Sequence, residues 1–330
     1  MLRTAVIGVG HLGRQHARIH SCLATEGLTD FVSVCDLNPE CATKIGIERN
    51  VTSTSDWREL IGKVDAVSLA VPTESHCEIA CALLEAGVHV LVEKPISRTL
   101  EEADRMIASA KKSGALLQVG HLERYNPALV ALRPHVKRPV YFEIHRVGEF
   151  TARSLDIDVV LDLMIHDLDI VQWLVGEEVE VTELHAVGIP ILTPKVDAAN
   201  ARLEFATGAV ANITASRVGT EKIRKMRFFQ PHDYIAVDYA TRHASISNLA
   251  APQASGAWPG VKTNHLPVSD VEPLRAEILD FVQAAEKKLP SPISGEDGRR
   301  ALALALRALD RIYAHAKHPG VSELGQIPSA

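Results

Sequence analysis

Thr4-Ala5-Val6-Ile7-Gly8-Val9-Gly10-His11-Leu12-Gly13 sets the reading of the whole chain. A short apolar strand pattern runs into G-x-G-x-x-G, and a helical pattern follows through Ala24. Strand, tight turn and helix are the context in which this glycine spacing carries meaning. Gly8 permits the turn, Gly10 lets the backbone approach a pyrophosphate, and Gly13 lets helix and strand pack closely. His11 and Leu12 complete the loop that opens the helix, whose free N–H groups and positive dipole end suit phosphates. Alone, the glycines are a weak signal, since a turn cluster can produce them.

Outward from that stretch, Phe31-Val32-Ser33-Val34-Cys35-Asp36 is a second strand ending in an acid, 23 residues after Gly13. A carboxylate near this offset binds the adenosine ribose hydroxyls and repels a 2′-phosphate. No arginine follows it directly, so the expected cofactor is NAD. The alternation continues with a strand over 65–71 ended by Pro72-Thr73 and a helix over 74–85. A strand over 89–92 runs into Glu93-Lys94-Pro95, followed by a helix over 100–113 and a strand over 116–120. This pattern predicts a doubly wound, parallel α/β sheet with right-handed crossovers. Ligands bind such sheets at the carboxyl ends of the strands, where Gly8, Asp36, Pro72, Thr73, Glu93, Lys94 and Gly120 all fall. Lys94 can donate to a substrate hydroxyl and lower the cost of deprotonating it; an ordinary solvated lysine is the plain alternative.

After Pro127 the pattern changes. Strands are expected over 140–147, 179–187, 198–205, 209–216, 225–229, 234–237 and 244–246, with a hairpin turn at Ala206-Thr207-Gly208. Consecutive strands with one inserted helix predict an α+β domain on a mostly antiparallel, open sheet. The expected division is 1–121 for the dinucleotide-binding domain and 122–330 for a substrate-binding and oligomerisation domain. Residues 250–265 read as a loop, and helices are expected over 273–287 and 295–315, the second opened by a capping box of Ser294 and Asp297.

The inserted helix begins in Asp158-Val159-Val160-Leu161-Asp162-Leu163-Met164-Ile165-His166-Asp167-Leu168-Asp169. Asp158 is the expected N-cap and Gly176 the stop. Val160, Met164, Leu168, Val171 and Leu174 form an apolar stripe. Asp162 and His166 share another face, continued by Asp169 and Trp173. A carboxylate one turn from an imidazole can fix its tautomer and stabilise its protonated form, which is how a general base is built. Without the rest of the chain, the same pair reads as an ion pair on a surface helix.

The remaining composition excludes other classes. The chain of 330 residues is 46% apolar and 23% charged, with net charge −6. A packed core is expected, and nucleic acid or an anionic membrane is not an expected partner. No apolar run reaches the ~18 residues of a membrane span, and no signal-peptide pattern opens the chain. The five cysteines form no C-x-x-C pair; they read as reduced, mostly buried thiols of a cytoplasmic protein, and no metal site is expected.

The loop Gly8–Gly13, Glu93-Lys94-Pro95, the Asp162…His166 pair and Ser294-Gly295-Glu296-Asp297-Gly298-Arg299-Arg300 together resemble the glucose-fructose oxidoreductase and inositol dehydrogenase family, Gfo/Idh/MocA. The resemblance covers nearly the whole chain. It implies that Lys94 holds both substrate and cofactor ribose, that His166 is the general base, and that Asp162 orients it or touches the substrate. It also implies a homo-oligomer, dimer or tetramer, whose second subunit covers the open sheet. Where many members carry a glycine run, this chain has Leu155-Asp156-Ile157-Asp158, which bears on the shape of the pocket. Gly120–Ala128 and Val159–His166 resemble the branch that oxidises the 3-hydroxyl of UDP-N-acetylglucosamine for the 2,3-diamino sugar of lipid A. By that likeness Arg124, Tyr125 and Asn126 are candidate substrate contacts; Arg124, Arg146 and Arg153 are candidates for a diphosphate. The alternatives are a dehydrogenase of inositol or a free sugar and, in another class, a non-catalytic NAD-binding redox sensor.

Overall fold

The computed structural model describes residues 1–150, 157–249 and 260–318. The chain divides into two compact units: 1–125 with 271–302, and 126–270 with the chain from Ala303 on. The return of 271–302 to the first unit has no counterpart in the division at 121/122 read from sequence.

In the first unit, β1 (Arg3–Ile7), α1 (Gly13–Thr25), β2 (Asp30–Cys35), α2 (Pro39–Arg49), β3 (Thr52–Thr54), β4 (Ala66–Leu69), α3 (His76–Glu85), β5 (His89–Glu93), α4 (Leu100–Ser113) and β6 (Leu117–Gly120) follow in order. The sheet is wholly parallel, ordered β3-β2-β1-β4-β5-β6. Helix α2 and strand β3 are additions to the sequence reading. The cause of α2 is local: Asn38 accepts from the N–H groups of Glu40 and Cys41, and Pro39 takes the first helical position. Gly87 and Gly114, at φ of +82° and +75°, end α3 and α4 as expected.

Later in the chain, α7 (Pro273–Lys287) lays Leu274, Ile278, Phe281 and Val282 against Ile19 and Leu23 of α1 and Ala66 and Leu91 of the sheet. The face of the nucleotide-binding sheet over β4 and β5 is thus completed by a helix from the far end of the sequence. The last helix, α8 (Gly295–Ala316), opens with the expected box: the Asp297 N–H donates to Ser294 Oγ at 3.2 Å, and the Ser294 N–H to Asp297 Oδ2 at 2.7 Å.

The second unit carries α5 (Pro127–Leu132), β7 (Tyr141–Glu149), α6 (Ile165–Val175), β8 (Val181–Ile189), β9 (Ala198–Phe205), β10 (Val210–Gly219), β11 (Ile223–Gln230), β12 (Asp233–Asp238), β13 (His243–Leu249) and β14 (Val261–His265). The eight strands are ordered β14-β13-β12-β11-β7-β10-β9-β8, antiparallel except for β7 with β10. Gly208, at φ +81°, makes the expected hairpin turn between β9 and β10. Strand β14 corrects the reading of 250–265 as one loop: Val261–His265 pairs with β13. The part over 250–259 lies outside the described residues. The cysteines are free, but Cys22 and Cys41 are exposed and only Cys35, Cys77 and Cys81 are buried. Among the described residues no helix is long and apolar enough to cross a membrane, and no three His, Cys, Asp or Glu side chains are grouped to hold a metal ion.

Candidate active site

The glycine loop is dictated by steric contact. Gly8 sits at φ +84°, and a Cβ there would lie 2.5 Å from the Ala70 carbonyl oxygen. A Cβ on Gly13 would fall 1.7 Å from the Gly8 oxygen. At Gly10 a Cβ would meet nothing within 4 Å, so this backbone is bare toward open space. No side chain caps α1 and no acid occupies its first turn, so the positive end of its dipole is left to a ligand, although the Arg14 and Gln15 N–H groups already donate to the Gly10 and Leu12 oxygens. His11 and Leu12 are exposed beside them.

Asp36 follows β2. Its Oδ2 accepts from the Val9 N–H at 2.8 Å and its Oδ1 from the Asn38 N–H at 2.9 Å. The carboxylate therefore ties the glycine loop to the end of β2, and each oxygen keeps lone-pair capacity for a ribose hydroxyl. Leu37 beside it is 86% exposed, with no cation there for a 2′-phosphate. Bare Gly10, the uncapped helix and the placed acid fit a dinucleotide with free ribose hydroxyls.

At the other strand ends, Pro72 is exposed and Thr73 half-buried. His76, almost fully buried, makes contacts missed from sequence: Nε2 with the Val71 oxygen at 2.9 Å, and Nδ1 with the Pro95 oxygen at 3.1 Å. It clamps the loop after β4 to the Glu93-Lys94-Pro95 turn. Burial lowers its pKa, against the pull of those carbonyls. Lys94 is half-buried, and its peptide bond to Pro95 is cis. Glu93 points inward, accepting from His16 Nε2 at 2.9 Å and from the Lys94 N–H at 3.3 Å. Burial works to raise the Glu93 pKa, but His16 and Lys94 outweigh it and hold the group ionised. His16 was also missed; the signal was its place three residues after Gly13 on the buried face of α1.

In the second unit the helix opens unexpectedly. Val160–Met164 forms a wide π-type turn, with the Ile165 N–H reaching back to the Val160 oxygen, before regular α6 begins. Such turns gather at functional sites. The Asp158 side chain does not cap this helix; it accepts from the Val196 N–H at 2.8 Å and the Tyr313 hydroxyl at 3.2 Å. The apolar stripe is buried as predicted, and Asp162, His166 and Trp173 are half-buried. Asp169, on the same regular helix, is buried at 2% exposure. Gly176 ends the helix at φ +135°.

Two of the candidate arginines, Arg146 and Arg124, are engaged in the fold. Arg146 donates to both oxygens of Asp167, at 2.7 and 2.9 Å, with both residues buried. A desolvated, bidentate bond to a carboxylate favours a structural role for Arg146 over a diphosphate contact. Arg124, 7% exposed, lies 3.4 Å from Asp297, the capping acid of α8. Asn126 accepts from the Ala128 N–H at 3.2 Å and so caps α5, while its Nδ2 donates to the Tyr239 oxygen at 3.3 Å. For Arg124 and Asn126 the geometry favours structural roles. Burial, with Asp280 and Glu277 nearby, raises the pKa of Tyr125 and keeps its phenol neutral. Arg153 lies outside the described residues.

A Rossmann domain with an NAD-fitted loop, joined to an antiparallel-sheet domain with an Asp-x-x-x-His helix, defines the class of two-domain nicotinamide-dependent oxidoreductases. Comparison with known proteins makes the class specific. The pattern of the oxidoreductase family with NAD-binding Rossmann fold matches residues 2–121, and that of the GFO/IDH/MocA C-terminal domain matches 129–229. UDP-N-acetylglucosamine 3-dehydrogenase of Acidithiobacillus ferrooxidans is 39% identical over 93% of this chain and 96% of its own length. Its solved structure superimposes with a TM-score of 0.90, covering 96% of this chain and 99% of that one. Myo-inositol 2-dehydrogenase of Thermotoga maritima is 28% identical over 93% of this chain and 95% of its own. Levoglucosan dehydrogenase, solved with NADH and levoglucosan, shares the fold at TM-score 0.83 and 22% identity, over 95% of this chain and 97% of that one. The chain belongs to the Gfo/Idh/MocA family of NAD-binding oxidoreductases.

Proposed function

We propose that the protein oxidises the 3-hydroxyl of UDP-N-acetylglucosamine, giving the 3-keto sugar nucleotide and NADH. The observation that carries this is the 39% identity along 93% of the chain to a dehydrogenase of that name. NAD, when bound, supplies the hydride acceptor. The Gly8–Gly13 backbone and the start of α1 hold its pyrophosphate, Asp36 its adenosine ribose, and Pro72 and Thr73 flank it. Lys94 donates to the reacting hydroxyl and to the cofactor ribose. His166 takes the hydroxyl proton as hydride leaves the same carbon, with Asp162 orienting the imidazole. The reading extends to a cytoplasmic homo-oligomer serving the lipid A diamino sugar pathway.

Oxidation of a secondary alcohol by NAD releases a proton and is uphill near neutral pH, so the ketone must be drawn off for turnover. The test incubates enzyme, NAD, glutamate and a sugar-nucleotide aminotransferase with UDP-N-acetylglucosamine, free N-acetylglucosamine or inositol. An aminated UDP-sugar with NADH is expected from the first alone. Product only from inositol or the free sugar would reject the substrate and leave the oxidoreductase. His166→Ala should lower kcat by about 10²–10⁴ with NAD binding unchanged; near-normal turnover would move the base elsewhere.

A further inference from the structure

Strands β4 and β5 stop pairing where the ligand crevice of such a sheet opens; their last partners are Leu69 and Val92. Past that point one chain runs into Ala70-Val71-Pro72-Thr73 and the other into Glu93-Lys94-Pro95-Ile96. Glu93 pairs with Gly120 of β6, and that ladder ends there. His76, which opens α3 and is 1% exposed, bridges the two chains. Its Nε2 is 2.9 Å from the Val71 oxygen, and its Nδ1 is 3.1 Å from the Pro95 oxygen and 3.3 Å from that of Ile96. All three neighbours are carbonyls, which only accept. A neutral imidazole has one N–H, so one ring nitrogen must turn its lone pair toward an oxygen. A cation would satisfy both sides, but burial opposes it and outweighs the pull of the carbonyls and Glu93. Packing alone does not require this conflict, and a local inconsistency of this kind is expected at a functional site.

We propose that His76 is a positioning residue for Lys94: its Nδ1–H donates to the Pro95 carbonyl and so fixes the backbone from which Lys94 reaches substrate and cofactor. The inference rests on the reading of Lys94 as a contact to the reacting hydroxyl and the cofactor ribose. Two carbonyls face Nδ1 and one faces Nε2, so hydrogen on Nδ1 sets the lone pair against one oxygen rather than two. Lys94 is then held from both sides. Before it, the Glu93 carboxylate accepts from His16 Nε2 at 2.9 Å and from the Lys94 N–H at 3.3 Å. After it, His76 takes the Pro95 oxygen, with that of Ile96 in reach. A lysine ammonium rides on a flexible four-carbon stem, so it is placed no better than the backbone beneath it. Small misplacements of such a group are felt in affinity and rate. On its other side the same ring meets Val71, one residue before Pro72 and Thr73.

The test measures NAD affinity by titration of the full-length protein, with thermal unfolding to show that each variant folds. The variants are His76→Phe, His76→Asn, His76→Gln, Lys94→Ala, and Lys94→Ala combined with His76→Phe. Phe keeps an aromatic ring and removes both nitrogens; NAD affinity should fall by about tenfold or more, the scale on which small misplacements are felt. Asn offers an amide donor at the place of Nδ1, and Gln offers one at the place of Nε2. Asn should recover most of the loss and Gln should not. In the Lys94→Ala background, His76→Phe should cost less than about threefold further, because residues that act through one another are not additive. A general structural role would give additive losses instead. Additive losses, a Phe variant equal to the parent, or rescue by Gln rather than Asn would each overturn the proposal. If Phe does not fold, the comparison of Asn with Gln decides. NAD titration needs no sugar, so failure of the substrate assignment leaves this test intact. Lys94→Ala with unchanged NAD affinity would remove the reading of Lys94 as a cofactor contact, and the inference with it; additive losses would remove the inference alone.

Discussion

The glycine loop of the first unit and the π-turn helix of the second are both rich in chemistry, yet they are specified differently. In the loop, two of the three glycines answer to backbone within reach: Gly8 to Ala70, and Gly13 to Gly8 itself. Local sequence is enough, because the constraint is steric and short-range. On the helix, Asp158, Asp162, His166, Asp167 and Asp169 are five polar residues of similar appearance. Asp158 is taken by Tyr313 and Val196, and Asp167 by Arg146. Which acid is structural and which faces the chemistry depends on partners distant in sequence. A motif built on glycine can be trusted from sequence sooner than one built on charge.

The largest effect should separate two roles within the loop. Gly13→Ala drives a Cβ into the Gly8 oxygen, and rigid backbone cannot yield; loss of soluble, NAD-binding protein is expected. Gly10→Ala meets no protein atom within 4 Å. Its unfolding free energy should stay within about 0.5 kcal/mol, while NAD affinity drops at least about tenfold because the methyl enters the pyrophosphate's approach. Isothermal titration and urea unfolding read both; normal NAD binding by Gly10→Ala would remove the loop's cradle role.

The next prediction presses on the helix. Arg146→Met leaves Asp167 buried without its bidentate partner and should cost about 3–5 kcal/mol, whereas Arg146→Met with Asp167→Leu should return most of it. Denaturant unfolding of the two variants decides. If the single change were nearly free, the pair would not be a structural anchor and Arg146 would again be open to a ligand.

The smallest effect concerns Asp297 at the start of α8. Burial alone would raise its pKa, but Arg124, Ser294 and Arg300 outweigh it and hold it below 3.8. Its stabilisation is therefore present above pH 3.8 and lost as pH falls through the lower, folded value. Asp297→Asn should cost about 1–3 kcal/mol at pH 7, a gap that narrows under acid. A gap constant down to pH 3 would mean that the charge contributes nothing and that Arg124 is not held by it.

The sequence by itself determined the parallel sheet, its glycine loop and acid, the run of later strands, the inserted helix with its buried apolar stripe, and the capping box of α8. Periodicity, turn residues and steric limits act over a few residues, so they are written locally. Asn38 and Pro39 were such a signal too, and α2 could have been read from them. Tertiary structure alone decided that α7, which begins 180 residues after Glu93, returns to the nucleotide-binding sheet. It alone committed Arg146 to Asp167, Asp158 to Tyr313, and His76 to the turn after Lys94. Burial and charge pairing depend on which distant segments meet, and no local pattern encodes the partner of a charge.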